Sequence, residues 1–519
     1  VRRKGFERDL EGFVQRNHVI FLSIVFIVGL LLRLGPYIRE PNLPYGEGDA
    51  AYHFQMSKLI AEGGYPQEFN HILDMPGVRY GSYVYPPVTH TGMALLKLIS
   101  GANQLTASFI YVAFMDSLLI ATTFLLVKEL FGYTAGIASS LIISVSKRNI
   151  QSLLWGQWPS LAGMVFIPLI LLYGIKSLRD SRYAKLCGLF CGLSFLTYPQ
   201  STGYSLFVLS LIYVSRRVQI KPKTLKKLLT SFTVVFIVLA LPTAPKIVQY
   251  FSSENVKAAG FSVSRLAEWY PSVKPGVRFF EGYPPSWFNP LLVYDKVLLA
   301  LVLLSLTALF FNNNDRRVFA SANILVFYLI THSDVFGLSP DRVVRQFNSE
   351  VLLFAFIIPM VFTVEKAGLR KYFFVVAVLL VSAYFLSRVN SLMPLLYNTY
   401  SPKMRLTPRE YEAGVWLKRN THPDSIILFQ GKVYGPVTRW IAAVSDRRIA
   451  TYSDNKIDFD GIVFNVSLPD YVLLDYTPLV LPPEERTQNT LIMYALEQQL
   501  MNYTTLVYEN DEIAVRKFD

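Results

Sequence analysis

Blocks of uninterrupted apolar residues constrain this chain more than any other feature. Residues 19–32, 118–127, 161–173, 228–241, 297–311 and 373–386 carry no charged side chain. Each run extends readily to the roughly 20 residues that cross a bilayer as a helix. Within lipid a segment must satisfy its own backbone amides, and only helices and closed barrels do so. The runs do not alternate polar with apolar residues, which excludes the barrel pattern. Composition agrees: 17% of residues are charged, against about 25% in soluble domains, and the mean hydropathy is +0.34. The expectation is a mostly α polytopic membrane protein with about eleven transmembrane helices over residues 1–398 and a water-soluble α/β domain over 399–519.

Basic residues orient the chain. Arg2, Arg3, Lys4, Arg8 and Arg16 precede the first run, and no small-residue cleavage site follows it, so the run reads as an anchor. If this end is cytoplasmic, alternate loops should be basic. They are: Lys176, Arg179, Arg182 and Lys185; Arg216, Arg217, Lys221, Lys223, Lys226 and Lys227; Arg316 and Arg317; Lys366, Arg370 and Lys371. The intervening loops, at about 35–103, 147–160, 248–292 and 332–348, then fall outside, as does the tail after Leu386. The net charge of +13 faces anionic lipid headgroups in this arrangement, and nucleic acid is not an expected partner. The protein is expected in the cell membrane, multi-pass, with its N-terminus cytoplasmic and its C-terminal domain extracytoplasmic.

Cys187 and Cys191, the only two cysteines, share one face of an expected helix and read as small hydrophobes. In the C-terminal region residues 407–420 read as an amphipathic helix with an acidic start and a basic end. Strands are expected at 424–429, 471–475, 505–508 and 512–516, with a helix at 488–501 between them.

Ionisable groups where membrane helices meet water are the candidates for chemistry. Glu47 and Asp49 stand just before a helical stretch, with His53 four residues beyond Asp49 on the same helix face. Asp49 is an N-cap on one reading, and a base or cation ligand on the other. Tyr85, before Pro86-Pro87, belongs to a rigid turn, and His90 lies at the helix start that follows. The 147–160 loop offers Lys147, Arg148, Trp155 and Gln157, with Trp155 and Trp158 also suiting a membrane interface. The 261–290 stretch places Glu268 beside Trp269 and Tyr270 in a long aromatic loop. Asp341, Arg342 and Arg345 precede a later apolar run, where an arginine either binds phosphate bidentately or snorkels.

These segments resemble, in order and topology, the catalytic subunits of oligosaccharyltransferases, glycosyltransferases of the GT-C fold, most closely the archaeal kind. Glu47-Gly48-Asp49 with Tyr52 and His53 matches the acidic-x-Asp motif of the first outside loop. Leu266-Ala267-Glu268-Trp269-Tyr270-Pro271 matches the later part of the Ser/Thr-Val/Ile-x-Glu motif, and Arg345-Gln346-Phe347 loosely matches a late Arg-Phe. Glu412-Ala413, Trp416-Leu417, Asn420-Thr421 and Pro423-Asp424 match the start of the external domain. Two departures stand out. Where the family carries Trp-Trp-Asp-Tyr-Gly, this chain has Gln430-Gly431-Lys432-Val433-Tyr434-Gly435, a degenerate form in which Tyr-Gly survives. Where the family's second loop carries an acidic pair, this chain has the neutral Gln157.

The resemblance implies transfer of a sugar or oligosaccharide from a polyprenyl (dolichyl-type) phosphate or diphosphate to an extracytoplasmic protein or glycan acceptor. Asp49 and Glu268 are the catalytic candidates. Arg345, Arg342, Tyr85, Trp155, Gln157, Lys147 and Arg148 are the substrate-binding candidates. A divalent cation, Mg or Mn, would draw on Glu47, Asp49 and His53, and metal-independent transfer is the other expectation. Sequons at Asn465-Val466-Ser467 and Asn502-Tyr503-Thr504 are short enough to arise by chance. A lipid or solute transporter, and an inactive scaffold of a cell-surface complex, are the alternatives. A transporter would predict an inverted repeat, which the sequence does not show.

Overall fold

The computed structural model describes residues 5–39, 48–63, 87–217, 221–240, 296–331, 355–397, 406–430, 436–451, 470–476 and 503–519, with isolated positions between them. Helices α1 (Gly5–Arg39), α2 (Gly48–Ala61), α3 (Val88–Ser100), α4 (Gln104–Phe131) and α5 (Tyr133–Ser144) open the chain. Two short helices, α6 (Lys147–Leu154) and α7 (Trp158–Met164), lead into α8 (Phe166–Arg179), α9 (Tyr183–Thr197), α10 (Pro199–Ser215) and α11 (Pro222–Ala240). Then come α12 (Lys296–Leu309), α13 (Asn314–Thr331), a 3₁₀ helix over Ile358–Thr363, and α14 (Ala367–Tyr397). The protein is a mostly α polytopic membrane protein with a C-terminal α/β domain.

Among the described residues four stretches are long and apolar enough to cross a membrane: Leu10–Ile38, Gln104–Phe131, Trp158–Arg179 and Gly368–Asn390. Only 28% and 22% of the first and last are buried, against 61% and 83% of the middle two. Stretches built around α4 and α8 therefore form the centre. The outward faces of α1 and α14, including Val19, Ile24, Ile27, Leu379 and Leu386, are suited to lipid.

The helix ends sort by charge. Glu129 at the end of α4 pairs with Lys176 of α8 at 2.9 Å, and Arg216 pairs with Asp315 at 3.0 Å. Arg316 donates to the Leu130 carbonyl at 3.1 Å and lies 3.6 Å from Glu365. Glu11 of α1 caps α5 by accepting from the Tyr133 and Thr134 amides at 2.7 and 3.1 Å. Segments 129–134, 176, 216, 315–316 and 365 thus meet at one end of the bundle. At that end the four basic loops of the sequence come together, and α2, α6 and α7 lie at the other.

One charged network is wholly interior. The Arg33 guanidinium (α1) donates to Asp116 (α4) at 2.5 Å, and both side chains are fully buried. It also donates to the Gly29, Ser144 and Ile143 carbonyls at 3.0, 3.0 and 3.2 Å. The last two are carbonyls in the final turn of α5, where helical i→i−4 partners run out; Ile143 also accepts from the Ser146 amide at 3.2 Å. The other Asp116 oxygen accepts from Asn149 of α6 at 2.9 Å. Three helices and the α5–α6 turn are therefore pinned by one satisfied ion pair.

The C-terminal domain starts with α15 (Pro408–Asn420), β1 (Ile426–Gln430), α16 (Pro436–Ser445), β2 (Arg448–Thr451), β3 (Tyr471–Asp475), β4 (Thr504–Glu509) and β5 (Ile513–Phe518). The sheet order is β2-β1-β3-β5-β4. β1 is parallel to β2 and β3, and β5 is antiparallel to β3 and β4. Thr407 and Glu410 form a reciprocal capping box at the start of α15, satisfying two backbone amides. Val472, Leu474 and Ala514 form a second small core on the other face of the sheet. There the described positions within 487–500 are helical, and Arg516 pairs with Glu497 at 3.0 Å.

Strands at 471–475 and near 426, 505 and 513 follow the sequence expectation, as does α15. Helix α16 and strand β2 were not anticipated. The expected crossing number of about eleven depends partly on 241–295 and 332–351, which lie outside the described residues.

Removing one partner of a buried ion pair strands the other charge. Arg33→Met is expected to lower stability by about 3–5 kcal/mol, with a smaller loss when Asp116→Leu is added. Thermal unfolding of the two variants in detergent micelles checks the order.

Candidate active site

The end of the bundle away from the basic loops is built around two glycine turns. Gly46, at φ +110°, precedes α2, and a Cβ there would lie 2.3 Å from the Ala50 Cβ. Gly156, at φ +74°, sits in the Trp-Gly-Gln turn between α6 and α7, where a Cβ would lie 2.2 Å from the Ala50 amide nitrogen. Only glycine gives both the left-handed backbone and the missing side chain that this approach requires. The Asp49-Ala50 start of α2 and the Trp155-Gly156-Gln157 turn, about 100 residues apart, thus form one backbone-to-backbone unit. Trp158 backs it: its indole N–H donates to the Leu153 carbonyl at 2.9 Å, and its ring is 1% exposed. The interfacial-belt reading of Trp158 is therefore corrected, because a tryptophan with a satisfied N–H and a buried ring is a core residue.

Asp49 lies in the first turn of α2. Its carboxylate accepts from the Arg439 guanidinium of α16 at 3.2 Å, and 56% of its side-chain surface stays open. Surrounding protein raises its pKa above the usual 3.8, and the Arg439 charge and hydrogen bond partly oppose that. The carboxylate is thus flanked by protein and Arg439 on one side and exposed on the other. Next to Arg439, the Trp440 indole donates to the Gly46 carbonyl at 2.7 Å, and its ring packs 5.7 Å from that of Phe54. Farther along α2, Lys58 reaches Asp446 at 2.6 Å, which also accepts from Lys418. Helix α16 of the C-terminal domain therefore packs against α2 beside Asp49.

His53 points the other way. Its Nδ1 lies 2.9 Å from His90 Nε2, and both side chains are buried. Burial, and then the nearby His90, hold the His53 pKa well below 6.5, so His53 is neutral near pH 7. Asp49 and His53 share a helix but do not converge on one point. Among the described residues no three His, Cys, Asp or Glu side chains gather closely enough to hold a metal. Lys147 opens α6, and the Arg148 guanidinium stacks over Trp155 at 4.9 Å. Gln157 Oε1 is buried and accepts no hydrogen bond from a described residue. Glu47, Tyr85, Glu268, Asp341, Arg342, Arg345 and the Gly431–Gly435 segment lie outside the described residues.

Arg439 was missed in the sequence because it belongs to no outside-loop motif. The available signal was Pro436 followed by Val437, Trp440, Ile441 and Val444, a Pro-started amphipathic helix with an arginine beside its apolar face.

A sequence profile described as a family of unknown function, DUF6541, matches residues 7–347. The chain belongs to this family. No curated protein matches it by sequence. Three solved structures superpose on this DUF6541 chain. ArnT from Cupriavidus metallidurans is 11% identical, with a TM-score of 0.56 over 97% of this chain and 98% of its own. The oligosaccharyltransferase of Archaeoglobus fulgidus, in complex with Zn and sulfate, is 16% identical, with a TM-score of 0.53 over 83% of this chain. The arabinofuranosyltransferase AftD from mycobacteria is 12% identical, with a TM-score of 0.55 over 96% of this chain. The DUF6541 chain spans 62% of the archaeal enzyme and 41% of AftD. At these identities the likeness gives the fold, which is that of the GT-C glycosyltransferases.

Gly156→Ala should displace the Trp-Gly-Gln turn and cost about 1–3 kcal/mol. Gly203→Ala, in helix α10 with open space at its Cβ, should be neutral or slightly stabilising. Melting temperatures of the two variants side by side check the contrast.

Proposed function

We propose that this protein is a membrane glycosyltransferase that moves a sugar or oligosaccharide from a polyprenyl phosphate or diphosphate to an acceptor outside the cytoplasm. The observation that carries the reading is the Asp49 carboxylate, half exposed and paired with Arg439, at the end of the GT-C bundle away from the basic loops. In this reading the N-terminus is cytoplasmic, the membrane body runs to about residue 398, and the C-terminal domain stands outside. The solved proteins of the same fold include transferases of an oligosaccharide and of an arabinofuranosyl group, which supports a glycosyl-transfer chemistry.

Asp49 orients the acceptor and takes the proton from its attacking O–H or N–H group. The acceptor's electron pair forms the new bond to the anomeric carbon. The carbon–oxygen bond to the phosphate breaks on the opposite face, its electrons pass to the phosphate oxygen, and the sugar inverts. The acceptor is an asparagine of an exported protein or another glycan. Glu268 is proposed to help hold it, and Arg342 and Arg345 to approach the phosphate. Trp155, Gln157, Tyr85, Lys147 and Arg148 are proposed to line the donor's path.

The described donors do not fit a divalent cation. Where a cation would meet Asp49 stands the Arg439 guanidinium, and His53 is turned into the core toward His90. No step is therefore assigned to a metal. The neutral Gln157 in the second loop is the observation that favours the scaffold reading.

Asp49→Asn is expected to cut turnover by about 10²–10⁴-fold with the fold intact. Release of radiolabelled sugar from a polyprenyl-linked donor, by protein reconstituted in vesicles, measures it. Undiminished turnover would remove Asp49 from the site, and no turnover by the unaltered protein with any donor would favour the scaffold. The base works deprotonated, so activity should fall as pH drops through its pKa. Because that pKa is raised, the acid limb of kcat/KM should lie above the ordinary carboxylate range near 3.8.

A further inference from the structure

We infer that Arg439, from the C-terminal domain, is the residue that grips the donor phosphate, and that it guards Asp49 until the donor arrives. The inference rests on the transferase reading and deepens it: the site is assembled from two domains, and the soluble one carries the phosphate ligand.

The geometry has three parts. Arg439 makes a single contact to a described group, one Nη1 hydrogen bond to Asp49 at 3.2 Å. A guanidinium has five N–H donors in a planar fork, so most of this fork is uncommitted. Its side chain is 24% exposed, so the fork reaches the surface beside Asp49 rather than the core. Its backbone is held firmly, because the neighbouring Trp440 is fully buried and bonded to the Gly46 carbonyl. A second clamp, Lys58 and Lys418 on Asp446, docks α16 onto α2 without Arg439. Docking therefore does not need the Arg439–Asp49 bond, and the arginine is available to change partner.

The donor's phosphate is esterified to both polyprenol and sugar, yet it keeps two unesterified oxygens (four in a diphosphate) that a planar fork can hold as a bidentate pair, where Asp49 takes a single bond. When the donor arrives, Arg439 turns from the carboxylate to the phosphate. Asp49 then loses the positive neighbour that favours its ionised form and becomes a stronger base for the acceptor proton. Donor binding thus precedes base activation, and Arg439 stabilises the charge that builds on the phosphate as the sugar leaves.

The test is a binding titration on the full chain in nanodiscs, with farnesyl phosphate as probe and farnesol and inorganic phosphate as controls. The unaltered protein should bind farnesyl phosphate well above both controls. Arg439→Gln should weaken that binding by about tenfold to a hundredfold, and Arg439→Lys should fall between. Asp49→Asn should tighten binding, and the gain should vanish when Arg439→Gln is added. That coupling is a result a purely structural latch would not give. Farnesyl phosphate binding that Arg439→Gln leaves unchanged would overturn the inference while leaving the transferase reading intact. An unaltered protein that prefers neither phosphate over farnesol would instead sink the donor reading itself. Inorganic phosphate binding as tightly as farnesyl phosphate would mark a site for soluble phosphate and overturn the lipid-borne source. Should Arg439→Gln fail to fold, the Arg439→Lys and Asp49→Asn pair decides the matter: no change in either overturns the inference.

Discussion

The meeting of two glycine turns, Gly46 before α2 and Gly156 between α6 and α7, is the contact on which the functional end of this molecule depends. A turn inside a packed helical bundle has backbone groups that must be covered and satisfied. Pressing Gly156 onto the first turn of α2 covers it and leaves Asp49 at the rim of the contact. The Arg33–Asp116–Asn149 network holds the same α5–α6 region from the membrane side. Its charges are interior, yet each is matched by hydrogen bonds, as a buried ion pair must be to persist.

The C-terminal domain is part of this arrangement. Its sheet is sandwiched between α15 and α16 on one face and the helical positions of 487–500 on the other. The α16 face then continues across Trp440 to Phe54 in a single hydrophobic core with the membrane body. Such a junction makes Arg439 of the C-terminal domain a neighbour of Asp49 at the start of α2.

Much of the architecture was legible in the sequence, and the reasons are local. Uncharged runs such as 118–127 and 161–173 could be nothing but membrane helices. The basic loops at Lys176, Arg216 and Arg316 fell on one end because each pairs with an acid or carbonyl there. Strand β3 was readable since YVLLD is buried on both faces. Asp49 was legible as a candidate because an acidic side chain at a helix start beside a membrane needs a reason. Its partner was not, because the Asp49–Arg439 contact joins residues 390 positions apart and no periodicity encodes it. Helical spacing set Asp49 and His53 on one face, but packing overrode that. His53 is paired with His90 in the core, while Asp49 sits one turn earlier at the open end of α2.

The central claim is that Asp49 of the membrane body and Arg439 of the outer domain form one site around a lipid-borne phosphate. A cryo-electron microscopy structure of the full chain in a nanodisc with a polyprenyl phosphate tests it most directly. The account predicts phosphate density within hydrogen-bonding distance of the Arg439 guanidinium, with the Asp49 carboxylate released and beside it. Phosphate density elsewhere on the bundle, with Arg439 still closed on Asp49, would contradict it.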